Sequence, residues 1–390
     1  MKQGWEHKKL GEVCTIERGG SPRPITDYIT DSEDGINWIK IGDAQEGSKY
    51  ITSTKEKIRP EGIKKSRFVH KGDFILSNSM SFGRPYILKV DGCIHDGWLV
   101  IHDDNEVFIK DYLYYILSSS IMYAKFSQLA VGGVVNNLNS SLVRKVAIPI
   151  PPKSTQLSIV SELDKINELI RLKKEQLKDY DNLAQSIFYE MFGDPVENEK
   201  GWEVKKLGEV CTIERGSSPR PITAYITDSK DGINWIKIGD AQEGSKYITS
   251  TKEKIKPEGL KKSRFVHKGD FILSNSMSFG KPYILKIDGC IHDGWLVIHD
   301  NNNVFIKIYL YYLLASSIMY AKFSKLAVGG VVNNLNSSLV RKVDVSIPPL
   351  PLQHIFAQRI EQIEHQKSEV TKAITDLETL LASRMQHWFE

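Results

Sequence analysis

The segment DGINWIKIGDAQEGSKYITS spans residues 34–53, and it returns without a single change at residues 231–250. The surrounding sequence repeats at the same offset, since GWE at 4–6 returns at 201–203 and DGCIHDGWLVIHD at 91–103 returns at 288–300. Over the first roughly 142 residues of each copy only about 14 positions differ, with a period of about 197 residues. The chain is therefore one module written twice, and the two modules must share a fold and a ligand.

Each module alternates short β-rich runs with turn clusters. The runs include Trp38–Ile41, Asp73–Leu76 and Gly97–Ile101, and glycine, proline and aspartate separate them. One apolar segment, Tyr112–Ala130, has the residue spacing of a helix. The pattern predicts an α+β globule with a large β share.

The similarity between the copies ends after Lys145 and Lys342, where proline-rich segments precede a second pattern. Apolar residues then recur alternately every three and four positions, with breaks at Lys173, Lys367 and Arg384, over about five heptads free of glycine and proline, which is typical of a coiled coil. These residues are Ile159, Leu163, Ile166, Ile170, Leu177, Tyr180, Ala184, Ile187 and Met191, then Phe356, Ile360, Ile363, Val370, Ile374, Leu377, Leu381 and Trp388. Two matched copies favour paired helices over a single amphipathic helix packed on a globule.

The predicted fold class is α+β, with two globular mixed α/β domains separated by two long antiparallel coiled-coil helices, in a tandem repeat with pseudo-two-fold symmetry. The predicted boundaries are 1–152 and 195–349 for the globules, and 153–194 and 350–390 for the helices. Antiparallel pairing would place the globules at opposite ends of a rod of about 50 Å, which matches one to one and a half turns of duplex DNA. Two DNA-binding globules so related would read opposite strands.

Composition sets broad limits on the class of protein. An apolar share of 41% and a charged share of 26% are ordinary for a folded globular chain. No apolar run approaches the roughly 20 residues that span a bilayer, so we expect a cytoplasmic protein without membrane contact. The net charge of +4 permits a DNA partner without arguing for one. The four cysteines lack metal-binding spacing and are predicted to be reduced, buried thiols.

Catalytic signatures are absent from the sequence. It contains no phosphate-binding GxxxxGK[ST] loop, no GxSxG elbow and no HExxH zinc helix. It also lacks the Asn-Pro-Pro-aromatic segment that an adenine methyltransferase needs. His70, His95 and His102 have no paired acid or nucleophile at strand or helix spacing, so they are interpreted as core or surface histidines. We therefore expect a protein without an enzymatic activity or metal of its own.

Three loops per module concentrate the residue types that contact DNA: the segments at 17–24, 77–84 and 132–140. Arginine can read guanine, asparagine can read adenine, and serine and lysine can hold phosphates. A basic run at 55–67 suits the DNA backbone. The candidate DNA-binding residues are Arg18, Ser21, Arg23, Lys40, Lys64, Lys65, Arg67, Asn78, Ser79, Arg84, Asn136 and Asn137 in the first module. Their counterparts are Arg215, Ser218, Arg220, Lys237, Lys261, Lys262, Arg264, Asn275, Ser276, Lys281, Asn333 and Asn334.

The whole chain resembles the specificity subunits of type I restriction-modification systems. The resemblance is carried, in order, by Trp5–Val13 before a glycine-rich turn, Lys71–Ser77, Asn137–Asn139, and Val146–Pro152 leading to Gln156 and the heptad helix. The second module repeats this order and ends with Gln353 before its helix. Each motif is loose by itself, but their order and spacing recur twice.

The resemblance implies two target recognition domains, residues 1–152 and 195–349, each reading half of a split DNA site across a nonspecific spacer. It also implies partners: double-stranded DNA, two methyltransferase subunits and restriction subunits. S-adenosylmethionine would belong to the methyltransferase subunit, and ATP and magnesium to the restriction subunit, with no cofactor in this chain. The two recognition domains usually differ in that family, whereas these are nearly identical, which predicts a palindromic site.

Two other interpretations stay open on the sequence alone. A nonenzymatic scaffold could use the same loops to bind two copies of a protein ligand without DNA specificity. A stand-alone enzyme is a third possibility, and it would transfer labelled methyl groups to DNA without partner subunits. Binding to random DNA separates the first of these from a DNA-specificity subunit.

Overall fold

The structure is a computed structural model that describes residues 4–45, 47–78, 83–129, 138–242, 244–275, 280–327 and 335–390. Contacts divide the chain into two units: Met1–Lys174 with Lys372–Glu390, and Glu175–Thr371. Each unit therefore holds the globule of one module together with part of each of the two long helices.

The first module contributes short strands and helices, then one long helix. Its strands are β1 (Glu6–Lys9), β2 (Thr15–Arg18), β3 (Ile29–Thr30), β4 (Ile36–Ile39), β5 (Tyr50–Ile51), β6 (Glu56–Ile58), β7 (Arg67–Val69), β8 (Phe74–Ser77), β9 (Pro85–Leu88), β10 (Gly92–Ile94), β11 (Trp98–His102) and β12 (Ala147–Ile150). Its helices are α1 (Leu10–Val13), α2 (Lys110–Ser118), α3 (Ser120–Leu129), α4 (Ser140–Arg144) and α5 (Lys153–Phe192).

The second module repeats this order. Its strands are β13 (Glu203–Lys206), β14 (Cys211–Arg215), β15 (Ile226–Thr227), β16 (Ile233–Ile236), β17 (Tyr247–Ile248), β18 (Glu253–Ile255), β19 (Arg264–Val266), β20 (Phe271–Ser274), β21 (Pro282–Leu285), β22 (Gly289–Ile291), β23 (Trp295–Asp300) and β24 (Asp344–Ile347). Its helices are α6 (Leu207–Val210), α7 (Lys307–Ala315), α8 (Ser317–Ala327), α9 (Ser337–Val340) and α10 (Leu350–Phe389). Two sheet-rich domains with long helices confirm the predicted fold class.

Two five-stranded sheets build each globule, with a separate β1–β12 or β13–β24 pair. In the first unit the sheet orders are β3-β6-β4-β10-β7 and β2-β11-β8-β9-β5. The β4–β10 and β5–β9 pairs are parallel, and the other neighbours in these two sheets are antiparallel. The second unit repeats both orders with its own strands.

Strand β11 explains how the layers pack. Trp98 and Val100 belong to the core between the two sheets, whereas Leu99 and Ile101 belong to the core shared with the helices. Successive side chains of a strand point to opposite faces, so a strand covered on both faces is apolar throughout. Each globule is therefore layered as helices, sheet and second sheet. The four cysteines are free and buried, as predicted.

The apolar segment at 112–130 does not form the single helix that the sequence predicted. The structure has α2 and α3, separated at Ser119, whose backbone is extended (φ −68°, ψ 149°). The Ser119 hydroxyl donates to the carbonyl of Ile116 and accepts from the N–H of Met122. A buried serine that satisfies backbone groups on both sides stabilises this break.

The long helices α5 and α10 pack against each other in antiparallel directions within each unit. In the first unit, Glu162 pairs with Arg384 and, further along α5, Lys174 pairs with Glu378 at 2.8 Å. In the second unit, Lys367 pairs with Asp181 at 2.5 Å. The coiled coil predicted from the heptads is confirmed, but its seam shifts. Near the end of α5 the buried residues are Ala184, Phe188 and Phe192, whereas Ile187 and Met191 are only partly buried.

Candidate nucleic-acid interface

The glycine-rich segment after β2 lies against the turn that joins β10 to β11. The N–H of Gly19 donates to the carbonyl of Trp98 at 2.9 Å, and the N–H of Gly20 donates to the carbonyl of Ile94 at 3.1 Å. A Cβ on Gly19 would lie 2.2 Å from the carbonyl oxygen of His95. Glycine is therefore required at position 19, because only a residue without a side chain allows the two backbones to approach this closely.

Asp96 lies in that turn and contacts side chains of the predicted DNA-reading loop. Its Oδ1 accepts from Ser21 Oγ at 2.8 Å and lies 2.9 Å from Nε2 of His95. Its Oδ2 lies 3.5 Å from Nη2 of Arg23 and 3.9 Å from Nη2 of Arg18. Its backbone carbonyl accepts from Nε of Arg18 at 2.9 Å. One carboxylate thus organises three of the candidate residues.

Asp96 and His95 form a pair of defined charge. Burial raises the pKa of the Asp96 carboxyl, but the Ser21 hydrogen bond and the neighbouring cationic groups lower it more, so the pKa lies below its ordinary value. Burial also lowers the pKa of His95, against the opposing effect of Asp96. Nδ1 of His95 accepts the N–H of Gly97 at 2.9 Å. A neutral imidazole with its proton on Nε2 satisfies both contacts and donates to an ionised Asp96.

The second module reproduces this cluster. Asp293 accepts from Ser218 at 2.9 Å, lies 2.9 Å from Nε2 of His292, and lies 3.4 Å from Nη2 of Arg220. The backbone carbonyl of Asp293 accepts from Nε of Arg215 at 2.8 Å. We call Arg18, Ser21, Arg23, His95 and Asp96, and their counterparts in the second module, the aspartate clusters.

An open cavity of about 720 Å³ adjoins the first aspartate cluster. Its apolar lining includes Trp38, Pro22 and Ile25, and its polar lining includes Lys40 with its partner Glu56. The corresponding cavity of the second module measures about 890 Å³. Four predicted residues of each module, the two arginines, the serine and the lysine, are thus brought to one surface, although Arg18 stands at the cluster rather than in the cavity wall.

The predicted basic run is only partly presented to solvent. Lys64 and Lys65 are exposed, and Nζ of Lys65 donates to the Tyr28 hydroxyl at 2.6 Å. Arg67 instead pairs with Glu17 at 2.8 Å and donates to the carbonyl of Arg18 at 2.9 Å. Arg67 therefore supports the end of β2, and the second module repeats this with Arg264 and Glu214. Lys262 likewise donates to its tyrosine, and Lys261 is exposed.

The second predicted loop departs from expectation at its first candidate residue. Asn78 is 1% exposed, and its Nδ2 donates to the carbonyl of Asp96 at 3.0 Å; Asn275 does the same to Asp293. These asparagines therefore position the aspartate turn and do not face solvent. Arg84 and Lys281 are exposed, and Arg84 lines a different cavity. The remaining candidates, Ser79, Asn136, Asn137, Ser276, Asn333 and Asn334, lie outside the described residues.

Sequence reasoning missed Asp96 and assigned His95 a bland role. The signal was a His-Asp pair set between two apolar strands, inside a stretch that both modules repeat unchanged. Among the residues that the structure describes, no group of His, Cys, Asp or Glu is arranged to hold a metal ion. No helix in the same part of the chain is long and apolar enough to cross a membrane.

The fold and its two matched clusters define a protein with two like modules joined by long paired helices. Residues 2–179 and 199–379 match the family described as the Type I restriction modification DNA specificity domain. Because these two matches cover most of the chain, the protein belongs to that family.

Relatives from several organisms agree with this assignment. The chain is 24% identical to a putative type I restriction enzyme MjaX specificity subunit of Methanocaldococcus jannaschii, over 98% of this chain and 93% of that protein. It is 27% identical to the type I restriction enzyme MjaIX specificity subunit of the same organism, over 63% of this chain and 60% of that protein. It is 19% identical to the EcoBI specificity subunit of Escherichia coli, over 96% of this chain and 82% of that protein.

Solved structures share the fold. One chain, from work on complex assembly and conformational transition of the type I R-M system, aligns with a TM-score of 0.68 at 20% identity, over 99% of this chain and 97% of that chain. A type I restriction-modification S subunit from M. genitalium aligns with a TM-score of 0.50 at 14% identity, over 99% and 96%. At these identities the likeness concerns the fold alone.

Proposed function

We propose that this chain is the sequence-specific DNA recognition subunit of a type I restriction-modification complex, and that its two half-sites have the same sequence on opposite strands. One observation carries the proposal: both modules hold the same aspartate cluster, with corresponding distances that agree to about 0.1 Å. Two equal surfaces select equal half-sites. The full target is then palindromic around a nonspecific spacer.

The division of labour follows from this proposal. Residues 1–152 and 195–349 act as target recognition domains, and 153–194 and 350–390 act as the spacer helices. The chain itself is noncatalytic and binds double-stranded DNA, two methyltransferase subunits and restriction subunits. S-adenosylmethionine enters with the methyltransferase subunits, and ATP and magnesium enter with the restriction subunits.

The candidate DNA contacts fall into two groups by their position relative to the cavity. Arg23, whose side chain is 81% exposed, and Arg18 lie beside the cavity and are placed to reach base edges. The exposed Lys64 and Lys65 suit phosphates, which position a protein on duplex DNA without carrying sequence information. The same assignment applies to Arg215, Arg220, Lys261 and Lys262.

Mapping methylated bases tests the proposal. The chain is purified with the methyltransferase subunit of its system, the complex methylates a library of random duplexes in the presence of S-adenosylmethionine, and the methylated adenines are located by sequencing. We expect one split site with inverted, identical halves at constant spacing. Two different half-sites would refute the palindrome, and methylation without any sequence preference would favour the protein-scaffold alternative. The chain without partners should transfer no labelled methyl group.

A further inference from the structure

The two oxygens of the Asp96 carboxylate differ in how they are used. Oδ1 receives two hydrogen bonds, from Ser21 and from His95. Oδ2 faces the guanidinium groups of Arg23 and Arg18 at 3.5 Å and 3.9 Å, well beyond the roughly 2.7–2.9 Å of a close charge-assisted hydrogen bond. An ionised carboxylate offers about four acceptor sites. Oδ2 therefore retains the capacity to accept a hydrogen bond from a ligand.

The same groups can be reached from outside. The Asp96 side chain is 27% exposed, and the far more exposed Arg23 lies beside it. Both line the open cavity of the first module. In the second module Arg220 lines the corresponding cavity, and Asp293, whose side chain is also 27% exposed, lies 3.4 Å from it. Each module thus displays a cationic donor and an anionic acceptor side by side, 3.4–3.5 Å apart.

We propose that Asp96 and Asp293 are base-reading residues, and that each pairs with its neighbouring arginine to read one C·G base pair in the major groove. This inference rests on the proposed function, since it names the base pair that the same surface selects. Arginine donates to O6 and N7 of guanine, and an aspartate accepts from the N4 amino group of cytosine. In a C·G pair these two groups are hydrogen-bonded neighbours, about 2.9 Å apart. The Arg-Asp spacing of 3.4–3.5 Å is only slightly wider than this, so the two side chains can reach these neighbouring atoms together.

The negative charge also excludes alternatives. A carboxylate repels phosphate oxygens and the O4 acceptor of thymine, so Asp96 disfavours both a backbone contact and a thymine at this position. Adenine also offers an N6 amino group, but its partner thymine presents only one acceptor, O4, beside a methyl group, whereas guanine presents the O6 and N7 pair that an arginine binds with two hydrogen bonds. Each half-site should therefore contain a C·G pair that is contacted on both of its bases.

The competing role for Asp96 is positional: it could hold Arg18 and Arg23 without touching DNA. A change in affinity alone does not separate the two roles, since both are lost when the carboxylate is removed. Coupling between the carboxylate and the cytosine amino group separates them. A positioning residue is indifferent to that amino group, whereas a reading residue requires it.

The experiment first selects half-sites from random duplexes with the complex of this chain and its methyltransferase subunit. The selected cytosine in both half-sites is then replaced by 2-pyrimidinone, which lacks the N4 amino group. We expect the unmodified protein to lose about tenfold in affinity per half-site, roughly a hundredfold for both, because a base contact to a charged group is worth about this much. The Asp96→Asn/Asp293→Asn protein should lose less than about threefold for the same replacement.

Asp104→Asn is the matched control. It removes one negative charge from the same module, at a position where the second module carries Asn301, and both side chains contact the equivalent threonine. This variant should keep the full sensitivity to 2-pyrimidinone.

Several outcomes overturn the inference while leaving the proposed function standing. They are selected half-sites without a C·G pair, an unmodified protein that is indifferent to 2-pyrimidinone, and a double variant that is as sensitive as the unmodified protein. The test of the unmodified protein with 2-pyrimidinone needs no variant, so the inference can be refuted even if the double variant misfolds. Failure of the unmodified complex to select any sequence refutes the proposed function, and the inference with it.

Discussion

Replacing Gly19 by alanine places a methyl group where the backbone of the aspartate turn already lies. The added Cβ would be 2.2 Å from the carbonyl oxygen of His95 and 2.7 Å from that of Ile94. An ordinary van der Waals contact begins near 3.4 Å, so the two segments must separate by about 1 Å. Both neighbours are backbone atoms, and neither can move aside by changing a rotamer.

A shift of this size reaches the aspartate cluster directly. The Arg18 Nε to Asp96 carbonyl distance of 2.9 Å would lengthen to nearly 4 Å, beyond hydrogen-bonding range. We expect the overpacking to cost about 1–3 kcal/mol and the lost hydrogen bond a further 0.5–1.5 kcal/mol or so. Local opening of β2 and β11 should therefore become about 10-fold to 10³-fold more frequent, while the second module is unaffected.

Hydrogen exchange measured by mass spectrometry on peptides covering 15–20 and 94–106 checks this prediction, together with methylation mapping of the half-sites; the second peptide extends to 106 because the modules are identical over 91–103 and differ at 104 and 106. One half-site should relax and the other should keep its sequence. Gly20→Ser is the control, because the second module carries Ser217 there and a Cβ on Gly20 would come no closer than 3.2 Å to another residue. Equal behaviour of the two variants would show that the close approach at Gly19 is not needed for reading.

Other substitutions and a change of pH test separate parts of the structure. The double variant Arg23→Ala with Arg220→Ala should lower affinity for the selected site about tenfold or more. The double variant Lys64→Ala with Lys65→Ala should instead weaken binding to all duplexes equally and reduce the slope of log affinity against log salt by about one per lysine. Competition binding at several salt concentrations distinguishes the two effects. Phe188→Ala should destabilise the second unit by about 3–5 kcal/mol, because this ring is only 2% exposed and packs among Tyr309, Phe192 and Phe356. Ile187→Ala should cost clearly less. If hydrogen exchange in 271–314 responded more to Ile187→Ala, the observed seam would be contradicted. Acidification below pH 6.5 should loosen the turn at 94–98. The pKa of His95 is lower in the folded protein than in the unfolded segment, so between these two pKa values the unfolded segment binds more protons. Hydrogen exchange in this turn, corrected for the intrinsic rate, should therefore rise as the pH falls from 7.5 to 5.5, and a flat profile would refute the prediction.

Local patterns predicted the elements of each globule well. The runs at 73–76 and 97–101 became β8 and β11, since an unbroken apolar run of this length fits a strand covered on both faces. The helical pattern at 112–130 contained no glycine or proline, so the break at Ser119 left no obvious signal. It depends on one serine side chain that satisfies backbone groups inside the core.

The sequence predicted that the two long helices pack against each other, but not which of their apolar residues are buried in the contact. Near the end of α5, Ile187 and Phe188 are adjacent apolar residues, as are Met191 and Phe192. The heptad spacing favours the first of each pair for contact with another helix. The structure buries the second, because Phe188 and Phe192 pack on Tyr309 of α7 as well as on Phe356 of α10. Which residue is buried is therefore set by the globule as well as by the partner helix.

The aspartate cluster could not be predicted as a unit. Ser21 and Asp96 are separated by 75 residues along the chain, and only the pairing of β2 with β11 brings them together. The sequence did place Arg18, Ser21 and Arg23 in one candidate loop, because arginine and serine in a glycine-proline segment are readable locally, and their contact with DNA stays a prediction. It misjudged Asn78, whose amide is buried against the Asp96 carbonyl, since residue type alone does not reveal which way a side chain points.

The positions at which the modules differ show how two nearly equal globules fit two unequal helices. Lys49 of the first module pairs with Asp111 and lies 3.8 Å from Asp164. In the second module Asp111 is replaced by Ile308, and the corresponding Lys246 pairs instead with Glu364 of α10 at 2.7 Å.

Glu364 occupies the position in α10 that Asn167 occupies in α5. The carboxylate that pairs with the lysine therefore belongs to the globule in the first module (Asp111) and to the long helix in the second (Glu364). Lys246 is 7% exposed, and burial lowers the pKa of its ammonium group, whereas Glu364 raises it. Because burial disfavours the charged lysine, a nearby carboxylate is needed to stabilise that form. Each globule is thus matched to its own stretch of helix at this lysine. The aspartate clusters carry no such compensation, and under the proposed function a difference there would alter the half-site that each module reads.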